Sequence, residues 1–122
     1  MTIEVRGQEF KIDFVNNFCR EQYQQMLEAA EELTEIPERI AAVDGVDVAA
    51  AKAEFRKLRA EQKELVQRIG ALREEILREL VETNGYDYDR NWWLHKTDTN
   101  DINRFVVECI RKDLKDEGSK KK

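Results

Sequence analysis

Residues 47–85 read DVAAAKAEFRKLRAEQKELVQRIGALREEILRELVETNG, and one apolar stripe runs through nearly all of it. Phe55, Leu58, Leu65, Ile69, Leu72, Ile76 and Leu80 recur at intervals of three, four or seven residues, with Gln62 the only polar residue in line. That is the period of an amphipathic helix. Asp47 suits the N-cap, and Asn84-Gly85 suits the stop, because glycine takes the left-handed conformation after a helix at little cost. At ~1.5 Å per residue the helix over 47–84 would be about 55 Å long, well beyond the average for globular proteins. An element of that length needs a partner along its stripe.

Upstream lies a candidate partner. From Asn16 onward Phe18, Cys19, Gln22, Tyr23, Met26, Leu27, Ala30 and Leu33 also recur at helical spacing, with Asn16 or Asn17 as cap. The Ile36-Pro37 step predicts an end or kink there, since the residue before proline avoids the α region. Residues 37–43 would then restart as a short helix closed by Asp44-Gly45. Run back antiparallel, this 16–43 segment makes a helical hairpin with the long helix. A parallel homodimeric zipper is disfavoured, because Arg68 would face Arg73 of the other chain and Glu61 would face Val66. Val66, Leu77 and Val81 widen the stripe past a two-stranded seam, which points to packing inside a small bundle.

At the N-terminal end the period is two. Ile3 and Val5, then Phe10, Ile12 and Phe14, share one face, while Thr2, Glu4, Lys11 and Asp13 take the other. Arg6-Gly7-Gln8-Glu9 separates the two runs, and Gly7 can supply a turn's positive φ, so residues 1–14 read as a β-hairpin. A lone hairpin is marginal in water and must pack on a helix or pair at its edge.

Downstream, residues 86–95 (YDYDRNWWLH) hold both tryptophans and two of the three tyrosines. Asp89 can cap a short helix carrying Trp92 and Trp93, which point in different directions, so one can plug the core while the other is partly exposed. Asp98 or Thr99 opens a last helix whose face is Ile102, Phe105, Val106, Cys109, Ile110 and Leu114. The expected fold is mainly α: an N-terminal β-hairpin, a helical hairpin with one very long helix, and a C-terminal amphipathic helix. It forms a single domain over 1–116, with the aromatic segment and last helix at 86–116 and a disordered tail at 117–122.

The chemistry-bearing residues are sparse. His95 is the only histidine, and Cys19 and Cys109 are far apart on predicted apolar faces. Zinc needs three or four ligands, so no metal site is expected. Glu28, Glu31, Glu32 and Glu35, and Glu74, Glu75 and Glu79, are plentiful carboxylates, but the ExxH unit of helical metal sites is absent, and solvated faces are the simpler reading. Asp87 and Asp89 resemble the start of a calcium loop, which then lacks its glycine and terminal glutamate. No phosphate-binding loop, dinucleotide fingerprint or nucleophile elbow occurs. The chain is expected to be no enzyme and to use no cofactor. A net charge of −5 disfavours nucleic acid. No stretch is apolar enough for a signal peptide or a membrane span, and reduced cysteines suit a cytoplasmic protein. What remains is binding to another protein. Phe55, Leu58 and Leu65 of the long helix, with Trp92 and Trp93, are the candidate contact residues, tryptophan being enriched at binding hot spots.

One family fits both ends of the chain. The opening Ile3-Glu4-Val5-Arg6-Gly7-Gln8-Glu9-Phe10-Lys11-Ile12, a strand-glycine-strand hairpin followed by helices, resembles the start of small tail assembly chaperones of long-tailed bacteriophages. Leu80 to Asp89, Trp92-Trp93 and Asn100 to Val106 are similar to the C-terminal halves of small phage tail-module proteins of Gram-positive hosts. The resemblance implies a non-enzymatic protein of the host cytoplasm that binds the tape-measure protein, and with it the tail tube protein, during tail tube assembly. It also implies a longer frameshifted product, for which Lys120-Lys121-Lys122 could mark an A-rich slippery site. Homo-oligomerisation is compatible with it. The alternative is a coiled-coil structural or adaptor protein mediating protein–protein interaction.

Overall fold

The computed structural model describes the backbone of residues 1–120 and the side chains of residues 1–113. The elements are β1 (Thr2–Val5), β2 (Gln8–Lys11), α1 (Asn17–Ala41), α2 (Val48–Thr83), α3 (Arg90–Lys96) and α4 (Thr99–Lys120). The chain is therefore mainly helical behind an N-terminal hairpin, as its periodicities predict. α4 continues past the boundary expected at 116, and the last two residues of the expected tail at 117–122 lie outside the described residues, as does the side chain of Leu114. Contacts group the chain into two compact units: residues 1–23 with the chain from 72 onward, and residues 24–71.

The first unit is built around the hairpin. Arg6 (φ 48°) and Gly7 (φ 84°) are both left-handed, which makes a two-residue turn whose twist matches the strands. Val5 pairs with Gln8 and Ile3 with Phe10, and the Ile12 amide donates to the Met1 carbonyl at 2.8 Å. Ile3, Val5, Phe10 and Ile12 are buried together. Phe14 does not continue that face: β2 ends at Lys11, Val15 turns inward, and Phe14 is 58% exposed.

The hairpin's apolar face shares a core with Cys19 of α1, Leu72, Ile76, Leu77, Leu80 and Val81 of α2, Trp93 of α3, and Phe105, Val106, Cys109 and Ile110 of α4. Burial of each large aliphatic or aromatic side chain contributes roughly 1.5–3 kcal/mol. The helix ends are set by side chains the sequence names. Asn16 Oδ1 accepts from the Cys19 amide at 3.0 Å, and Asp89 Oδ1 from the Trp92 amide at 3.2 Å. α2 stops in a Schellman turn: Gly85 (φ 89°) donates to the Glu82 carbonyl and Tyr86 to the Val81 carbonyl. Antiparallel pairing of α1 with α2 is visible in this unit as Asn16–Glu79 (2.8 Å) and Gln22–Glu75 (2.6 Å).

The second unit is a helical hairpin of the later part of α1 and the earlier part of α2. Met26, Ala29, Ile36, Ala51 and Leu58 are its buried apolar residues, Asp47 Oδ1 caps α2 through the Ala50 amide at 3.2 Å, and Arg39 pairs with Glu61 at 2.9 Å. Two expectations fail here. α1 is not broken at Ile36-Pro37 but runs through Pro37 to Ala41. Proline removes the amide that would have met the Leu33 carbonyl and crowds that carbonyl with its ring, yet the helix continues past it, with the neighbouring Ile36 fully buried. Val66 does not widen the buried stripe: it is 54% exposed, and the widening by Leu77 and Val81 is confined to the first unit. α1 buries Cys19, Met26, Ala29 and Ile36, while Phe18 and Leu27 sit on its flank in solvent.

Candidate interaction surfaces

The five residues singled out by sequence fall in two different units. Phe55, Leu58 and Leu65 belong to the helical hairpin of the second unit; Trp92 and Trp93 belong to the first. Leu58 is only 1% exposed and serves the core, so it offers nothing to a partner. Phe55 and Leu65 are half-buried, as is Ile69. Phe55 and Val66, eleven residues or about three turns apart, share one flank of α2, and Ile69 lies between that flank and Leu65. Leu65 lies on the other flank, at the floor of a groove of about 440 Å³ walled by Glu32 and Glu35 of α1 and Glu61, Glu64 and Arg68 of α2. The apolar stripe of α2 is thus completely covered between Leu72 and Val81 and only partly covered between Phe55 and Ile69.

In the first unit the aromatic segment closes on the hairpin. Phe10 is the hub, with ring centroids 5.3 Å from Tyr86 and from Trp93, 5.5 Å from Phe105 and 6.0 Å from Trp92. Trp93 is the plug, 3% exposed; Trp92 is half-buried and meets it edge-on at 4.9 Å. Packing of this kind adds ~0.5–1.5 kcal/mol per aromatic pair beyond area burial. Among the polar residues that this segment presents outward, Trp92 is an apolar side chain partly in reach of solvent and Leu94 an exposed one.

Side chains from the end of α2, from α4 and from the aromatic segment reach both edges of the hairpin, and sequence reasoning did not find this. Because Ile3–Phe10 and Val5–Gln8 exchange the ladder bonds, the backbone groups of Glu9 and Lys11 point away from β1 on the outer side of β2, and those of Asp13 follow beyond its end. Tyr86 Oη accepts from the Lys11 amide at 2.7 Å, and Asn84 Oδ1 from the Asp13 amide at 2.9 Å and the Phe14 amide at 3.0 Å. Asn84 Nδ2 donates in turn to the carbonyls of Phe14 and Leu80. On β1 the outward groups are those of Thr2 and Glu4. Of these the Glu4 carbonyl is met, by Arg104 Nη2 at 3.1 Å.

Charge fixes the turn to α4. Asp98 and Asp101 form a reciprocal capping pair, each carboxylate accepting the other's amide. Arg6 donates to both, at 2.7 Å to Asp101 and 3.3 Å to Asp98. The Arg6 hydrogen bond, with the Asp98 amide, lowers the Asp101 carboxyl below its ordinary value, and Arg6 is raised in return. Burial pushes the thiols of Cys19 and Cys109 up to about 12, Glu79 adding to the first and Glu108 to the second. Desolvation lowers Arg73, whose buried Nε meets no acceptor among the described residues. Among the described residues no group of three His, Cys, Asp or Glu side chains is placed to hold a metal ion, and no helix is long and apolar enough to cross a membrane. Comparison of the chain with models of protein families, with curated proteins and with solved structures returns no match.

Proposed function

We propose that the chain is a non-enzymatic tail assembly chaperone of a long-tailed bacteriophage, acting in the host cytoplasm, which binds the helical tape-measure protein until tail tube subunits replace it. The observation that carries this reading is the partly covered stripe of α2. Phe55, Leu65 and Ile69 are half-buried and Val66 is exposed, where the same stripe is sealed from Leu72 onward. An amphipathic helix laid along a two-helix hairpin docks on such a strip through residues at three- and four-residue spacing. A stripe that stays half wet suits a partner held and then released, since full burial would favour a permanent complex.

The residues that carry the resemblance to tail chaperones, Ile3 to Ile12 and Leu80 to Val106, also fall in one compact unit, so they describe one structural module and not two scattered motifs. The test is co-expression of the tagged chain with a cognate tape-measure protein. Wild type should capture it, and Val66→Asp, at an exposed position, should stay folded and lose it. Failure of the wild-type chain to retain the tape-measure protein, or full capture by Val66→Asp, overturns the proposal.

A further inference from the structure

The helical hairpin of residues 24–71 has two sides of unlike charge, and, resting on the reading of Phe55 and Val66 as its partner-binding strip, we infer that this strip takes an amphipathic helix with an acidic flank. At ~100° per residue, the buried Leu58 and Ile36 mark the inward lines of α2 and α1. Turning one way from these lines reaches Glu61, Glu64 and Arg68 on α2 and Glu32, Glu35 and Arg39 on α1, which wall the groove over Leu65. Turning the other way, α2 presents Val48, Lys52, Phe55, Arg59, Lys63 and Val66, while α1 presents the uncharged Ala30, Leu33, Pro37 and Ala41. All eight glutamates of the unit fall on the groove's half of their helices. None falls on the strip's half. Lys52, Arg59 and Lys63 are exposed and meet no carboxylate among the described residues, whereas on the groove side Arg39 is held by Glu61 at 2.9 Å.

Charge decides the occupant. From Val48 to Val66 the strip is about 27 Å long at ~1.5 Å per residue, which is room for a helix of about five turns. Lys52, Arg59 and Lys63 follow one another at intervals of seven and four residues along its outer edge. A helix laid on the strip sets its own apolar residues, at three- and four-residue spacing, on Phe55, Val66 and Leu33, and one of its flanks overhangs the three cations. Basic residues on that flank would add like charge to a row with no anion to offset it, so the flank is acidic. Its other flank lies over Ala30, Pro37 and Ala41 and is not constrained in this way. Charges beside an apolar seam choose partners in the same manner in coiled coils. Because these pairs are exposed, each contributes little and salt screens it. They select the partner and speed its arrival more than they hold it, which suits a partner that is later released.

The test uses the full chain and two fluorescent helical peptides of about three heptads, identical in their leucine positions and carrying either glutamate or lysine on the flanks. At low salt the chain should bind the glutamate peptide at least about tenfold more tightly, and the difference should shrink as salt is raised. The net charge of −5 alone would favour the lysine peptide, so the result reads the strip and not the whole molecule. Lys52→Glu, Arg59→Glu and Lys63→Glu together, all at exposed positions, should keep the wild-type circular dichroism and reverse the preference. Glu32→Lys with Glu64→Lys, on the groove side, should leave the glutamate peptide preferred. Binding of neither peptide, preference for the lysine peptide, or a preference that the triple variant does not move overturns the inference. So does self-association of the wild-type chain that the triple variant abolishes, because the acidic side of a second copy would then cover the strip. The chaperone reading fails separately: a chain that prefers the glutamate peptide yet retains no tape-measure protein loses that reading and keeps its acidic partner.

Discussion

The side chain of Asn84 holds the backbone of Phe14 from both sides, Oδ1 accepting its amide at 3.0 Å and Nδ2 donating to its carbonyl at 2.9 Å. With bonds to the Asp13 amide and the Leu80 carbonyl, the carboxamide makes four hydrogen bonds, its whole donor capacity and both acceptor sites. Asparagine is the residue type that can do this: aspartate lacks the donors, and leucine, of similar shape, lacks everything polar. The link joins residues 70 apart in sequence and ties the chain that leaves β2 to the end of α2.

Asn84→Asp should therefore cost more than its conservative appearance suggests. Two donors are lost and two carbonyls are left facing a carboxylate, so the expected destabilisation is about 2–3 kcal/mol. Denaturant unfolding at neutral pH measures it, and a change within error of zero would mean the clamp is not a stabilising contact.

Gly85→Ala isolates a purely conformational cost. A Cβ there would meet nothing within 4 Å, yet φ is 89°. The loss should be about 1 kcal/mol, read as a lower denaturation midpoint with an unchanged slope.

Phe10→Ala should remove the hub of the aromatic cluster. Four other rings lean on Phe10, and the residue is 7% exposed. The expected cost is about 3–5 kcal/mol, with loss of the near-UV tryptophan signal. Trp92→Ala, at a half-buried position, should cost distinctly less.

How much of this was legible beforehand depends on whether the signal was local. The caps at Asn16, Asp47, Asp89 and Asp98 and the stop at Gly85 were readable, because each is decided by a residue and its neighbours within one helical turn. Pro37 lies inside α1 beside the fully buried Ile36, and burial of that kind is a tertiary fact that the local Ile-Pro signal does not carry. Phe14, Phe18, Leu27 and Val66 keep the period of a buried face and are nevertheless exposed, since periodicity names a stripe and not the width of the partner that covers it. Among the candidate contact residues, Trp93 and Leu58 are core, because an apolar residue on a helix reads the same whether its own chain or a partner covers it.

The two thiols give a pH signature. Both are raised from an ordinary value of 9.0 to about 12, so between those values the folded chain holds protons that the unfolded chain has released. Their contribution is complete below pH 9 and is lost as pH rises from 9 toward 12. The melting temperature should fall across that range more steeply than in a variant carrying Cys19→Ala and Cys109→Ala, and a thiol reagent should label the native wild-type chain slowly at pH 8.

The bond from Arg6 to Asp101 spans 95 residues, and Phe10 packs on a ring, Phe105, that the ribosome makes last among the core aromatics. At ~5–20 residues per second, the apolar face of the hairpin waits several seconds during synthesis before its helix arrives. In that interval Ile3, Val5, Phe10 and Ile12 are uncovered on a nascent chain, and neighbouring chains on one message carry the same sticky segment. The hairpin thus depends on shielding at one moment of its own synthesis, until α4 emerges to cover it.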